Sequence, residues 1–316
     1  MNLNTLLVVI DPARPTQPAL QRATWLARQN GAALELLVCE YHTVLEGSSL
    51  FSSAAREKAR QKLLQERLDW LESLAQPLRD EGLRVQIHAC WGRPLHQQVQ
   101  QRINELQPDC LFMAASDHAP LRQLLLSNGC WEMIRHATIP LWLVHHGAIS
   151  DYQRLCAAVD PLHSFDKPAA LDHRMLAMAS QLAQQFGLEA HALHCHAPLP
   201  PSMLFDSEVV THYPQYLQDS AEQHRQALAQ LLADYPAIHG NSHLLEGYPE
   251  ELIPRFVRSE AIDLLLLGAV SRSHLHSALI GNTAERILQQ VDCDLLVFNS
   301  GQKSSAAEKC LRGHTG

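Results

Sequence analysis

The sequence predicts an α/β fold built twice in tandem, each copy a parallel sheet with helices on both faces. Three observations carry this prediction. At 316 residues the chain is about twice the length of an ordinary domain, which points to two cores. An apolar run that ends in Asp-Pro, Leu6-Leu-Val-Val-Ile-Asp11-Pro12, returns as Leu155-Cys-Ala-Ala-Val-Asp160-Pro161. In each half, short apolar runs then alternate with segments whose apolar residues recur at helical spacing.

Taken in order, residues 6–10 form an apolar run of strand length, halted by Asp11 and Pro12, and so read as a buried strand leaving into a loop. A helical pattern over 19–29 is closed by Gly31, the residue type that stops helices just past their last turn. A strand at 34–39, a long helix at 63–78 and a strand at 85–90 follow. Leu64, Leu68, Leu71 and Leu74 are the core stripe of that helix, while Glu66, Arg67 and Asp69 read as its exposed face. Trp91-Gly-Arg-Pro94 opens the next helix with Pro in its first turn, and Pro108-Asp109 precedes the strand Cys110–Ala114. A last helix and a strand at 140–144 close the half.

The second half repeats this order. After the strand that ends at Asp160 come a helix at 171–185 stopped by Gly187, a strand at 190–195, a helix at 217–232 and a strand at 242–245. Glu246-Gly-Tyr-Pro249 opens the next helix, Ile262-Asp263 precedes the strand at 264–267, and a strand at 293–298 ends the half. The domains are therefore 1–147 and 148–300, joined through the polar segment His145-His-Gly-Ala-Ile-Ser-Asp151. Residues 301–316, rich in Gly, Ser, Ala, Lys and His, read as a disordered tail.

Composition narrows the function classes. A formal charge of −8 and a pI near 6.2 give no cationic footprint for nucleic acid and disfavour an acidic membrane surface. No apolar stretch approaches the roughly 20 residues of a spanning helix, and the run at 6–10 is too short for a signal peptide. The eight cysteines at 39, 90, 110, 130, 156, 195, 293 and 310 form no C-x-x-C pair and read as reduced thiols of a cytoplasmic protein. Neither a Walker loop, nor G-x-S-x-G, nor H-E-x-x-H occurs in the chain, so no catalytic residues are assigned.

Ligands of open α/β sheets bind beyond the carboxyl ends of the strands. In the second half the loop there is Gly268-Ala-Val-Ser271-Arg-Ser-His-Leu-His-Ser-Ala-Leu-Ile-Gly281-Asn282-Thr283-Ala-Glu285. Its glycines allow close backbone approach, and Asn282 and Thr283 stand at a helix N-terminus, which favours an anion. This loop resembles the nucleotide loop G-x2-G-x9-G-[S/T] of the universal stress proteins. Gly268 and Gly281 fall on its first and third glycines, Ser271 replaces the middle one, and Asn282 replaces the Ser or Thr. Asp160 matches the acidic residue that faces adenine in nucleotide-binding members of that family.

The resemblance, which covers residues 4 to about 299, implies Rossmann-like (HUP-type) lobes with five-stranded sheets of order 3-2-1-4-5. It also implies a cytoplasmic role in stress survival without established catalysis. Single-domain relatives pair through their last strands, so pseudo-twofold pairing of Leu141–Val144 with residues 295–298 inside one chain is expected, with a further homodimer as an alternative. The candidate cofactor is ATP or another adenine nucleotide in domain 2, held by Asp160, Gly268, Ser271, Arg272, Gly281, Asn282 and Thr283. Aligned on its last helix and strand, the first half places Ala115 at Gly268, His118 at Ser271 and Asn128 at Gly281, and reads as a scaffold copy without a phosphate loop.

Plainer readings stand beside these. Asn282 and Glu285 have the spacing of a capping box, which needs no ligand. Asp-Pro at a strand end is also ordinary turn chemistry. His194 and His196 share one face of their strand, but two imidazoles do not close a metal site, and no metal ligands are assigned. The leading reading is a non-enzymatic stress protein with a small-ligand site in domain 2. The alternatives are an adenine-nucleotide switch or weak ATPase, and a carrier of an apolar or amphipathic metabolite with Pro198-Leu-Pro-Pro-Ser-Met-Leu-Phe205 as its lid.

Overall fold

The structure, a computed structural model, describes residues 3–47, 52–115, 126–145, 151–162, 169–197, 207–269 and 280–299. The chain divides near residue 150 into two compact units, lobe one and lobe two. Lobe one runs β1 (Thr5–Val9), α1 (Pro18–Asn30), β2 (Ala33–Glu40), α2 (Thr43–Gly47), α3 (Ser53–Asp80), β3 (Val85–Trp91), α4 (Leu95–Leu106), β4 (Cys110–Ala114), α5 (Asn128–His136) and β5 (Leu141–Val144). Lobe two runs β6 (Arg154–Ala158), α6 (Ala169–Phe186), β7 (Glu189–His196), α7 (Ser207–Leu232), α8 (Pro236–His239), β8 (Ser242–Glu246), α9 (Pro249–Ser259), β9 (Leu264–Gly268), α10 (Asn282–Gln290) and β10 (Asp294–Phe298).

Within lobe one, β1 pairs in parallel with β2 and β4, β2 with β3, and β4 with β5, giving the order β3-β2-β1-β4-β5. Lobe two repeats it: β6 pairs in parallel with β7 and β9, β7 with β8, and β9 with β10. Each sheet thus has the 3-2-1-4-5 order in its own numbering. The first and fourth strands of each sheet are neighbours, so their outgoing loops lie side by side. The central strands are buried on both faces, as continuous apolar runs require: Leu6, Leu7 and Val8 in β1, and Leu264, Leu265 and Leu266 in β9, are fully buried. Leu143 of β5 and Leu296 of β10 are likewise buried.

The duplication persists at the level of single atoms. The carboxylate of Asp109 accepts the backbone N–H groups of Asn4 and Thr5 at 2.7 and 2.9 Å, tying the start of β1 to the start of β4. Asp263 does the same for Gln153 and Arg154, again at 2.7 and 2.9 Å. Gly31 closes α1 in the left-handed region, at φ 71°, where a side chain would be strained, and its N–H reaches the Ala27 carbonyl at 2.8 Å.

Several sequence expectations need adjustment. Helix α3 begins ten residues upstream of the predicted start at 63, because Ser52 caps it, its hydroxyl accepting the Ala55 N–H at 3.2 Å. Its core stripe is narrower than predicted: Leu71 is fully buried, while Leu64, Leu68 and Leu74 are half-buried. Arg67 does not lie on a free face but holds the buried Glu40 of β2 through Nε. Helix α7 also starts earlier than the predicted 217, and the short helix α8 had no counterpart in the sequence pattern.

Candidate functional site

In lobe two, β6 delivers Asp160 just past its carboxyl end, and β9 ends in Gly268 beside it. The next described element along the chain, α10, starts directly after Gly281. Asp160, Gly268, Gly281, Asn282 and Thr283 all line one cavity of about 90 Å³. Its apolar wall comes from Val159, Leu193, Ile253, Leu267 and Ile287. Five of the seven residues predicted for the site are therefore brought together. The other two, Ser271 and Arg272, lie outside the described residues, as do the predicted lid 198–205 and the tail 301–316.

The N-terminus of α10 is built differently from the capping box the sequence suggested. Gly281 is the N-cap, at φ −67° and ψ 140°, and Asn282 already lies inside the helix, so its side chain is past the capping position. Among the described residues no side chain caps this end, and the Glu285 N–H closes the first intrahelical bond to the Gly281 carbonyl at 2.9 Å. Helix geometry leaves the N–H groups of Asn282, Thr283 and Ala284 without intrahelical acceptors. All three residues line the cavity. With the positive end of the helix dipole behind them, these donors suit a phosphate or carboxylate.

Lobe one has a cavity in the corresponding place, lined by Asp11, Arg14, Ala114, Ser127 and Cys130 among others. It is larger, about 440 Å³, so size alone would favour it. Its chemistry does not. Ser127 is the N-cap of α5, and its hydroxyl accepts the Cys130 N–H at 3.2 Å, which uses up a donor that an anion would need. Arg14, the cation at this cavity, donates to the Ala115 carbonyl at 2.6 Å and to Asp11 at 3.3 Å. Asp11 itself is exposed and accepts the Ala13 N–H at 2.9 Å, which is the turn role foreseen for an Asp-Pro corner.

These elements also correct the alignment of the two halves. Helices α5 and α10 are both nine residues long and both begin with Asn, at 128 and 282. Strands β4 and β9 end at Ala114 and Gly268. Ser127 therefore stands at Gly281 and Ala114 at Gly268, one residue earlier than the sequence alignment placed them. The expected strand starts at 140 and 293 are 153 residues apart, whereas the helices α5 and α10 start 154 apart, which accounts for the one-residue shift.

The three histidines of β7 are all buried. His194 is held by two partners, its Nδ1 lying 3.1 Å from the Val159 carbonyl and its Nε2 2.7 Å from Nδ1 of His224 in α7. His196 stacks on the same His224 ring at 4.7 Å, and His191 lies against His243 of β8 on its other side, Nδ1 to Nε2 3.1 Å. Burial pushes the pKa of His194 down to about 4, against the opposing pull of Asp160. His194 with His224 and His191 with His243 therefore form hydrogen-bonded pairs, and His224, unseen in the sequence pattern, is the partner that the strand spacing did not reveal.

The model of the universal stress protein family matches residues 2–145 and again 151–299. The chain belongs to the universal stress protein family. It is 26% identical over 306 residues to universal stress protein E of Escherichia coli K12, covering 96% of each chain, and 23% identical over 313 residues to the Haemophilus influenzae homologue. Among solved structures it is similar to a functionally unknown protein of Pseudomonas aeruginosa PAO1, with 25% identity, TM-score 0.73 and coverage of 95% of this chain and 93% of that one. A universal stress protein of Archaeoglobus fulgidus shares the fold at TM-score 0.65 and 14% identity, with 95% and 100% covered. Both copies of the universal stress unit are thus present in one chain. No helix among the described residues is long and apolar enough to cross a membrane.

Proposed function

We propose that the chain is a non-enzymatic cytoplasmic stress protein whose second lobe binds a small phosphate-bearing ligand of the adenine-nucleotide class. The observation that carries this is the uncapped N-terminus of α10, opening onto the same cavity as Asp160. The phosphate sits on the N–H groups of Asn282, Thr283 and Ala284. The base lies along the apolar wall, with its exocyclic amine directed at the carboxylate of Asp160, an acceptor that lines the same cavity. Gly268, Ser271, Arg272 and Gly281 complete the binding loop.

Calorimetric titration of ATP into the wild-type chain and into Gly281→Ser tests the reading. A serine at this N-cap copies the Ser127 cap of lobe one and occupies a donor the ligand needs. Binding to the wild type that weakens about tenfold in the variant is the expected result, equivalent to the roughly 1.4 kcal/mol of one capping hydrogen bond. Equal affinity in both proteins would show that the helix end does not hold the phosphate. Heat from a fatty-acyl amphiphile, with none from ATP, would replace this reading with that of a carrier.

A further inference from the structure

Helices α4 and α5 of lobe one meet at a cluster that the ligand site does not use. Glu132 and His136 stand four residues apart on α5 and so share one helix face. His96, on the first turn of α4, faces them. Its Nδ1 lies 3.8 Å from Glu132 Oε2, and His136 Nε2 lies 3.4 Å from the same oxygen. The two imidazole rings stack at 4.9 Å. One donor atom from each of the three residues lies within 4.8 Å of the other two. Arg135 takes the other carboxylate oxygen, Oε1, at 3.0 Å and leaves Oε2 turned toward the imidazoles.

The duplicated lobe shows what an ordinary contact at this place looks like. His96 is the second residue of α4, as Glu250 is of α9, and Glu132 is the fifth residue of α5, as Arg286 is of α10. In lobe two, Arg286 and Glu250 form a direct ion pair at 3.1 Å. In lobe one the same two positions carry His96 and Glu132, 3.8 Å apart, and a second imidazole, His136, joins the same carboxylate oxygen. Lobe one thus presents two imidazole nitrogens and a carboxylate converging on one point.

We propose that His96, Glu132 and His136 form a Zn²⁺-class metal site on lobe one. Two imidazoles and one carboxylate match zinc's ligand preferences, whereas Mg²⁺ and Ca²⁺ take oxygen-dominated shells. Zinc bonds of about 2.0–2.2 Å set the donor atoms of a tetrahedral shell roughly 3.3–3.6 Å apart. The shell therefore closes through small side-chain movements, with the partly exposed His136 free to make them. Three protein ligands leave the fourth position to water or to a small anion.

The test uses the full chain, stripped of metal with a chelator and titrated with ZnCl2 by calorimetry. Wild type, Glu132→Gln, His96→Ala and the double variant His96→Glu with Glu132→Arg are compared. The double variant imports the lobe-two ion pair and so preserves the contact between the helices. One high-affinity Zn²⁺ per wild-type chain is expected, weakened at least tenfold in all three variants, with the thermal unfolding of the double variant unchanged. Control variants His194→Gln and His224→Gln retain the wild-type affinity. An absence of high-affinity binding in the wild type, undiminished binding in the three variants, or its loss in the control variants instead would overturn the proposal.

Discussion

His194 illustrates how one buried residue fixes the charge and tautomer of its neighbours. The Val159 carbonyl can only accept, so Nδ1 of neutral His194 carries the proton and its Nε2 is the acceptor for Nδ1–H of His224. Nε2 of His224 then keeps its lone pair. Protonating His194 would add a buried charge and break this chain. Its facing charged and titratable groups are Asp160 from the end of β6, His196 from its own strand and His224 from α7. Because its folded pKa is lowered to about 4 from an ordinary 6.5, the unfolded chain binds more protons between these values. Its contribution is complete above pH 6.5 and is lost as pH falls toward 4, by about 3 kcal/mol at most. Burial also lowers His191, His196, His224 and His243, which steepens the same acid limb. Urea midpoints measured by circular dichroism at pH 7.5 and 5.0 should fall less in His194→Gln than in wild type. An unchanged pH slope would contradict the buried neutral imidazole. The sequence marked His194 and His196 as sharing a face, but His224 lies thirty residues away on a helix whose packing no spacing rule specifies. The same limit hid the Cys39 and Cys90 thiols, 3.0 Å apart on paired strands.

At the scale of elements, pairings across layers hold the helices on the sheet. Glu35, inside the apolar run of β2, is almost fully buried, and Arg102 of α4 grips it through two parallel bonds, Nη2 to Oε2 being 2.8 Å. Replacing Arg102 by Met leaves this carboxylate buried without its cation, at a cost of about 3–5 kcal/mol. All five tryptophans belong to lobe one, so tryptophan fluorescence during urea unfolding reports this lobe alone. A large loss in Arg102→Met, mostly restored in the double variant with Glu35→Met, is the expected pattern. A single-variant loss below about 1 kcal/mol would show that the pair contributes no more than a surface ion pair does. The strands of both lobes were legible because a parallel sheet covered on both faces demands continuous apolar runs bounded by Asp, Pro or Gly. Helix starts were less legible. The first turns of α3 are polar and half-exposed, so no apolar period announces them, and only the Ser52 cap sets the boundary. At α10 the Asn282–Glu285 spacing suggested a cap that the backbone puts one residue earlier, at Gly281.

Over the whole molecule, the two lobes keep one topology and the same Asp109 and Asp263 anchors while their strand-end chemistry diverges. The acid after the first strand is exposed and held in a turn in lobe one, and buried against the cavity in lobe two. The helix after the fourth strand is sealed by Ser127 in lobe one and left open at Gly281 in lobe two. Since a phosphate site requires free N–H donors at a helix end, this divergence predicts one nucleotide per chain, not two. Removing the Ser127 hydroxyl separates donor supply from overall architecture. Ser127→Gly frees the Cys130 N–H, but Ala114 still carries a Cβ where lobe two has Gly268, and Arg14 stays committed to Asp11 and the Ala115 carbonyl. ATP titrated into Ser127→Gly should therefore return the wild-type stoichiometry of one and the wild-type affinity, whereas Gly281→Ser weakens that single site. Two equivalents bound by the wild type would show that both lobes bind, and binding lost with the Ser127 change but retained with the Gly281 change would move the site to lobe one and assign its 440 Å³ cavity the role argued here for lobe two.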